Sequence, residues 1–170
     1  MAFYDSLTGL GNRRLFWEHF ERTQHMCRRN QTWGAVLVVD LNRFKQLNDT
    51  HGHAAGDAVL QAVAQRLQGA LRASDVVARL GGDEFTILLQ HLGTSAEEAA
   101  GNVVQLVEKL HAALALPYAI ADGYYAGSAS MGAALMNPAE HTDLEHLLRH
   151  ANAQMYANKK IWAGTTGNHL

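Results

Sequence analysis

Apolar residues recur at helical spacing in four stretches of the chain. The segment from Asp57 to about Ala73 carries an apolar stripe whose members lie three or four positions apart. This spacing places the stripe on one face of an α-helix and is typical of a helix that packs on a core. The same spacing predicts three further helices, which run from Asn12 to about Arg29, from Ala96 to about Leu114 and from Asp143 to about Lys160.

Short apolar runs that are rich in β-branched residues lie between the predicted helices. The run from Gly34 to Asp40 stays apolar until its final carboxylate, which favours a buried strand. Val76 to Leu80 and Glu84 to Leu89 flank a Gly-Gly pair, and two such runs around glycines are typical of a β-hairpin. A further strand is predicted from Tyr124 to Leu135, paired with Tyr118 to Ala121.

The order of these elements indicates the fold class. A hairpin in the middle of the chain means that the sheet is not wholly parallel. We therefore expect an α/β sandwich of the α+β type, in which helices cover a central, mostly antiparallel sheet. The length of 170 residues suits a single domain over residues 1–170. Because the first recognisable motif begins at Asp5, we expect this domain to belong to a longer chain.

Composition and charge exclude several classes of protein. The content of 48% hydrophobic and 18% charged residues is ordinary for a globular domain. A net charge of −2 argues against bulk binding to DNA and against direct contact with an anionic membrane. No apolar run approaches the ~18 residues that a membrane span needs. Cys27 is the single cysteine and cannot form a disulfide within the chain, so we expect a cytoplasmic location.

Three carboxylates are expected to lie near one edge of the predicted sheet. Asp40 ends a buried strand, whereas Asp83 and Glu84 lie at the hairpin turn. Three close carboxylates repel one another unless a cation neutralises them, and oxygen ligands of this kind suit Mg²⁺ or Mn²⁺. Such ions recur in nucleotidyl transfer, where they are held against a phosphate. Acidic residues after Gly-Gly are also ordinary turn residues, so the spacing alone leaves both interpretations open.

A polar segment follows Asp40. Backbone N–H groups of residues 42–45 could cradle a phosphate, with Lys45 as the point charge. The stretch from Asn48 to Asp57 predicts a polar, glycine-containing loop that opens the next helix. Asp57 taken alone suits the N-cap of that helix.

These motifs together resemble the GGDEF-domain family, the catalytic domains of diguanylate cyclases. The signature is Gly-Gly-Asp-Glu-Phe at residues 81–85, and Arg79 stands two positions before it. An opening motif lies at residues 5–14, a nucleotide-binding pattern at residues 40–57 and a later strand motif at residues 130–132. The set follows the family's order over essentially the whole chain, which makes it far more specific than the five-residue signature.

The resemblance implies a palm-like fold, as in nucleotide cyclases and polymerases, and the condensation of two GTP molecules into cyclic di-GMP across a homodimer. It implies a metal held by Asp40, the Leu41 carbonyl and Asp83. Glu84 would then activate the attacking 3′-hydroxyl or share a second metal, with Asp83 as the other acidic candidate for the proton, and Lys45 would stabilise phosphate charge. The implied substrate contacts are Phe44, Asn48, His53, Asp57, Gly82 and Lys159.

A second motif resembles the family's inhibitory site. Arg72 and Asp75 form an Arg-x-x-Asp pattern at the family's distance before the signature. An arginine fork can bind phosphate and stack on guanine, while an aspartate can accept from the guanine edge. The resemblance implies feedback inhibition by cyclic di-GMP. A helix-terminal arginine followed by a turn aspartate is also a common structural pair, and this interpretation stays open.

Three positions depart from the family's pattern. Asn42 and Asn152 stand where the family often has Asp, and Ala163 stands where it has Arg. We expect Asn42 to remove a charge near the phosphates, and Ala163 to remove a triphosphate contact unless Lys160 substitutes. The departures leave open a degenerate domain that binds GTP or cyclic di-GMP and regulates a partner domain without catalysis. A cyclase that makes cyclic GMP is a further alternative. In each case the resemblance implies sensory or phosphodiesterase domains elsewhere in a signalling protein.

Overall fold

The computed structural model describes residues 2–167, with side chains described as far as residue 159. The helices are α1 Arg13–Asn30, α2 Phe44–His51, α3 His53–Ala70, α4 Ala96–Ala115 and α5 Leu144–Gly167. The strands are β1 Gly34–Leu41, β2 Val76–Gly81, β3 Glu84–Leu89, β4 Tyr118–Ile120, β5 Gly123–Tyr125 and β6 Ala129–Met136. Within the described range, no helix combines the length and the apolar character that crossing a membrane would require.

Four of the strands form the central sheet in the order β2-β3-β1-β6, and every neighbouring pair is antiparallel. The remaining two, β4 and β5, form a separate antiparallel pair. This arrangement confirms the predicted antiparallel sheet covered by helices. It also places the end of β1 beside the β2–β3 turn, because Asp40 lies opposite Glu84 in the register.

The two faces of the sheet bury two separate cores. Successive residues of β1 point to opposite faces of the sheet. Leu37 and Val39 pack with the buried residues of α2, α3 and α4, whereas Val36 and Val38 pack with those of α1 and α5. Side chains such as Phe20 are fully buried there, and each burial stabilises the fold by about 1.5–3 kcal/mol. Helices therefore cover both faces, and the chemistry is confined to the sheet's edge.

The segment after β1 differs from its prediction as a loop. Residues 44–51 form α2, in which Leu47 is the buried residue, so the sequence carries no apolar stripe there. Gly52, at a φ of 90°, ends α2 and precedes α3, and the second helix therefore begins at His53. Asp57 lies inside α3, so the alternative that it serves as the N-cap of that helix is wrong.

The single strand predicted from Tyr124 to Leu135 is also wrong. The chain forms β5 and β6, with residues 126–128 between them. Because β5 pairs with β4 while β6 pairs with β1, the chain has to pass from one sheet to the other at this point. Gly127 suits the passage, since a Cβ there would lie 2.8 Å from the ring of Tyr125.

Candidate active site

Two carboxylates meet where the β2–β3 turn reaches the end of β1. The Leu41 N–H donates to the Asp83 carbonyl at 3.3 Å, which ties the turn to the strand. Burial, followed by the negative charge of Asp40, raises the pKa of Asp83 to about 6. Asp40 Oδ1 is buried and has no hydrogen-bond partner among the described residues. The pair is therefore electrostatically unfavourable as it stands.

The donor chemistry of this pair fits a hard divalent cation. An unsatisfied carboxylate oxygen beside a second carboxylate is an arrangement that such an ion relieves, and Mg²⁺ or Mn²⁺ prefers oxygen ligands. Glu84 is exposed, and among the side chains described here no three Asp, Glu, His or Cys groups lie close enough to hold one ion. The expectation that three carboxylates converge is wrong: two meet, and Glu84 stands opposite Asp40 on the neighbouring strand.

A lysine from α5 offsets part of the negative charge of the carboxylate pair. Lys159 Nζ lies 2.7 Å from Asp40 Oδ2. Its positive charge also offsets part of the increase in the pKa of Asp83. The resemblance implies a phosphate contact for Lys159, whereas here its partner is a carboxylate. The expected roles of Lys160 and Ala163 concern side chains outside the described residues.

The signature turn is braced by the opening motif. Gly81 and Gly82 have φ angles of 145° and 52°, a region that glycine adopts without strain. Arg79 Nε donates to the Gly82 carbonyl at 2.9 Å, and its Nη1 lies 3.0 and 3.2 Å from the Asp5 carboxylate oxygens. Asp5 also accepts from the Thr8 N–H at 2.9 Å. Sequence reasoning recognised both motifs but not this contact between them.

A second cluster lies where α2 packs on α3. Asn48 Oδ1 is buried and has no hydrogen-bond partner in the described part of the chain. Gly56 packs directly against it, because a Cβ at that position would overlap Asn48 Oδ1 and lie 3.2 Å from the Phe44 ring. His53 and Asp57 are exposed on α3 beside this contact. The sequence pattern of residues 40–57 includes Gly56, but its contact with Asn48 was not predicted. Lys45 is exposed in the first turn of α2.

Asn42 differs from its expected role. The sequence predicts a charge lost near the phosphates, yet the residue is only 3% exposed. Its Nδ2 donates to Ser128 Oγ, and its Oδ1 accepts from Ser130 Oγ, each at 2.9 Å. Both polar atoms of the Asn42 side-chain amide therefore form hydrogen bonds within the protein.

The Arg-x-x-Asp residues also lie together. Asp75 Oδ2 accepts from the Arg72 N–H at 3.1 Å and lies 3.4 Å from Arg72 Nε. The Asp75 side chain is 3% exposed and that of Arg72 55%, and Asp75 Oδ1 is buried without a hydrogen-bond partner among the described residues. A cavity of about 310 Å³ lies beside them, with Lys109 on its wall.

A four-stranded antiparallel sheet covered by helices, with a carboxylate pair at its edge, is the arrangement of a palm-like nucleotide cyclase fold. The chain matches the family described as "Diguanylate cyclase, GGDEF domain" over residues 2–163. It belongs to the GGDEF-domain family, whose diguanylate cyclases generally need a divalent metal. The resemblance and the palm-like fold are thereby confirmed.

Known relatives and solved structures agree with this assignment. The chain is 40% identical to the diguanylate cyclase TpbB of Pseudomonas aeruginosa over 96% of its length, and it spans 37% of that protein. A sensory box/GGDEF family protein from Caulobacter crescentus has a TM-score of 0.85 at 34% identity, with 94% of this chain and 99% of that chain covered. The GGDEF domain of DgcB from the same organism, solved with cyclic di-GMP, has a TM-score of 0.81 at 29% identity, with 94% and 91% covered.

Proposed function

We propose that this domain is a diguanylate cyclase that condenses two GTP molecules into cyclic di-GMP and releases two pyrophosphates. The observation that carries the proposal is the pairing of Asp40 and Asp83 at the signature turn, with one buried carboxylate oxygen left unsatisfied. The 40% identity to a protein named as a diguanylate cyclase supports the same reaction.

We assign Asp40, the Leu41 carbonyl and Asp83 as the residues that hold Mg²⁺ or Mn²⁺. When bound, the ion neutralises charge on the reacting phosphate. Asp83 has to lose its proton to act as a ligand, and the hydrogen bond from the Leu41 N–H holds the turn in place. With Asp40 engaged by the ion, Lys159 would be available to contact the triphosphate as a point charge.

We assign proton removal to Glu84. It lies opposite Asp40 on the adjacent strand, and residues directly opposite in an antiparallel pair share one face of the sheet. Because Glu84 is exposed, it can reach a 3′-hydroxyl presented from outside the domain. A shared second metal is the other role for Glu84, and Asp83 is the other candidate for the proton. Lys45, exposed in the first turn of α2, supplies charge to the phosphates.

We assign guanine recognition to the contact between α2 and α3. Asn48 Oδ1 is a buried acceptor that needs a donor, and guanine offers N2–H₂. Asp57 can accept from guanine N1–H and N2–H₂, a pattern that adenine does not present. Phe44 and His53 line the nucleotide, and Gly82 lets the backbone approach it closely. An unpaired buried acceptor costs about 1–3 kcal/mol. A base that donates to Asn48 Oδ1 is therefore bound more tightly than a base that cannot donate there.

The reaction implies a homodimer. One domain binds one GTP, and each 3′-hydroxyl attacks the α-phosphate of the other nucleotide, so two domains have to face each other in line. The chain spans only 37% of TpbB, and we propose that sensory or phosphodiesterase domains accompany it in the whole protein. We place the domain in the cytoplasm, where GTP is available and the buried thiol of Cys27 stays reduced.

We propose that cyclic di-GMP inhibits the enzyme at Arg72 and Asp75. The unsatisfied Asp75 Oδ1 is an acceptor for a guanine edge, and the half-exposed Arg72 can reach a phosphate. The DgcB domain solved with cyclic di-GMP supports binding of this ligand by a similar domain.

Incubating the protein with GTP and Mg²⁺ and identifying the products by mass spectrometry tests the proposal. Cyclic di-GMP with pyrophosphate is the expected result. Tight GTP binding without any product would favour the regulatory, degenerate domain instead. Cyclic GMP as the product would contradict the two-domain reaction.

A further inference from the structure

Asn42, which follows β1, bonds to Ser128 just before β6 and to Ser130 within β6. Its backbone N–H donates to the Ser128 carbonyl at 2.9 Å, and its side-chain Nδ2 donates to Ser128 Oγ at the same distance. Ser130 Oγ donates to Asn42 Oδ1, also at 2.9 Å. The three bonds form a clasp, defined here as Asn42, Ser128 and Ser130, in which Asn42 and Ser130 are buried and Ser128 is partly exposed.

The clasp lies at the point where the regular pairing of β1 with β6 ends. The β1–β6 register ends with Asp40 opposite Ser130 and Leu41 opposite Ala129. Beyond Leu41 the chain leaves the sheet, passes Arg43 at a φ of 57° and enters α2. The regular β1–β6 pairing therefore stops beside the two residues assigned to the metal. Beyond that point, the side chain of Asn42 holds the end of β1 against β6.

The amide group bonds to both serines without adding charge, whereas the carboxylate that the family often has would add one. An amide donates to one serine and accepts from the other, so it satisfies the clasp with no net charge. A carboxylate would add a third negative charge near Asp40 and Asp83. Asp40 Oδ1 already lacks a hydrogen-bond partner among the described residues. The Asn42 side chain is therefore fully used within the fold, although it departs from the family's pattern.

We propose that Asn42, through Ser128 and Ser130, is a positioning residue that fixes the Asp40 carboxylate and the Leu41 carbonyl for the divalent ion. This inference rests on the proposed metal site. Asn42 itself does not touch the ion. Groups that hold metal ligands in place typically change metal affinity by about tenfold or more when removed.

Mn²⁺ binding to the nucleotide-free protein, followed by electron paramagnetic resonance, tests the proposal without relying on catalysis. We expect Asn42→Ala to weaken Mn²⁺ binding about tenfold. Asn42→Asp should restore most of the affinity, because both serine hydroxyls can donate to a carboxylate. Ser128→Ala removes one bond of the clasp and should weaken binding in the same direction if Asn42→Ala does not fold.

Asn102→Ala is the matched control. Asn102 Nδ2 donates to the Leu92 carbonyl at 2.8 Å, far along the chain from the clasp, so its loss should lower the melting temperature but not the Mn²⁺ affinity. Unchanged Mn²⁺ affinity in the folded Asn42→Ala and Ser128→Ala proteins would overturn the positioning role. If Asp40→Asn leaves Mn²⁺ binding intact, it is instead the proposed metal site that fails.

Discussion

Lys159 Nζ lies 2.7 Å from Asp40 Oδ2, so the nucleotide-free site holds a proposed metal ligand in an ion pair with α5. The two residues are 119 positions apart in the chain, and the contact joins the last helix to the end of β1. A divalent ion has to compete with this lysine. If Asp40 held the ion, Lys159 would be free to contact the triphosphate, and metal binding would be coupled to nucleotide binding.

Lys159→Met tests this competition. Removing a cation beside two carboxylates should strengthen Mn²⁺ binding in the absence of nucleotide. It should also weaken GTP binding, by about 1.5–3 kcal/mol for a lost charge-assisted contact. Mn²⁺ titration and calorimetry with GTP measure the two effects separately. Weaker Mn²⁺ binding in the variant would contradict the competition.

The effect of Mg²⁺ on stability should depend on pH through Asp83. Its pKa is raised from 3.8 to about 6, so a proton competes with the metal below pH 6. Without metal, the folded chain binds this proton more tightly than the unfolded chain, and this group's contribution to stability falls as pH rises from about 4 to 6. We expect Mg²⁺ to raise the melting temperature clearly at pH 7.5 and little at pH 5.

Asp83→Asn is the control for this pH dependence. The variant lacks the Asp83 carboxyl but keeps Asp40, so the effect of Mg²⁺ on its melting temperature should be small at both pH values and should lose the dependence that Asp83 gives it. An equal Mg²⁺ effect at pH 5 and pH 7.5 in the wild type would mean that Asp83 is not a ligand.

Gly56→Ala should damage GTP binding with little change of fold. A methyl group at this position overlaps Asn48 Oδ1 and displaces the acceptor assigned to guanine. We expect KM for GTP to rise at least about tenfold, which corresponds to the ~1–3 kcal/mol of one unsatisfied buried contact.

Gly69→Ala is the matched control for Gly56→Ala. Gly69 lies in the same helix, and a Cβ there would meet nothing within 4 Å. This change should raise the free energy of unfolding by about 0.5–1 kcal/mol and leave KM for GTP unchanged. Equal KM values for the two variants would show that the contact with Asn48 does not position the base.

Product inhibition should depend on Arg72. Arg72→Ala removes the guanidinium that we assign to a phosphate of cyclic di-GMP but leaves the active site intact, so the initial rate at low product should be kept while inhibition by added cyclic di-GMP is lost. Initial rates with increasing cyclic di-GMP, measured for both proteins, decide the point. If Arg72 is only structural, the variant would be slightly less stable and its inhibition curve would match that of the wild type.

The long helices could be predicted from the sequence, but α2 could not. The helix α3 buries Val63 and Leu67 on a regular stripe, which the apolar spacing reveals. In α2 the one buried residue is Leu47, and eight polar-rich residues leave no periodic signal. The break between β5 and β6 was hidden because a passage between two sheets depends on pairing, and pairing is not encoded in local alternation.

The site was predictable to a similar extent. Asp40 and Asp83 could be placed together because a strand end and a hairpin turn meet at one edge. The contacts around these carboxylates could not be predicted. Lys159 contacts Asp40 from the last helix, and Ser128 contacts Asn42 from the segment after β5. Such contacts join residues far apart in the chain and follow only from the packed fold.

The rate of cyclic di-GMP formation from GTP and Mg²⁺, compared between wild type and Glu84→Gln, tests the account most directly. Glu84 is exposed, so the change keeps the shape and removes the charge without disturbing the core. We predict that the wild type forms cyclic di-GMP and that the variant forms less than about a tenth as much, equivalent to a loss of roughly 1.4 kcal/mol or more in transition-state stabilisation, at an unchanged melting temperature. A wild type without product, or a variant that keeps more than this fraction of the rate, would contradict the account.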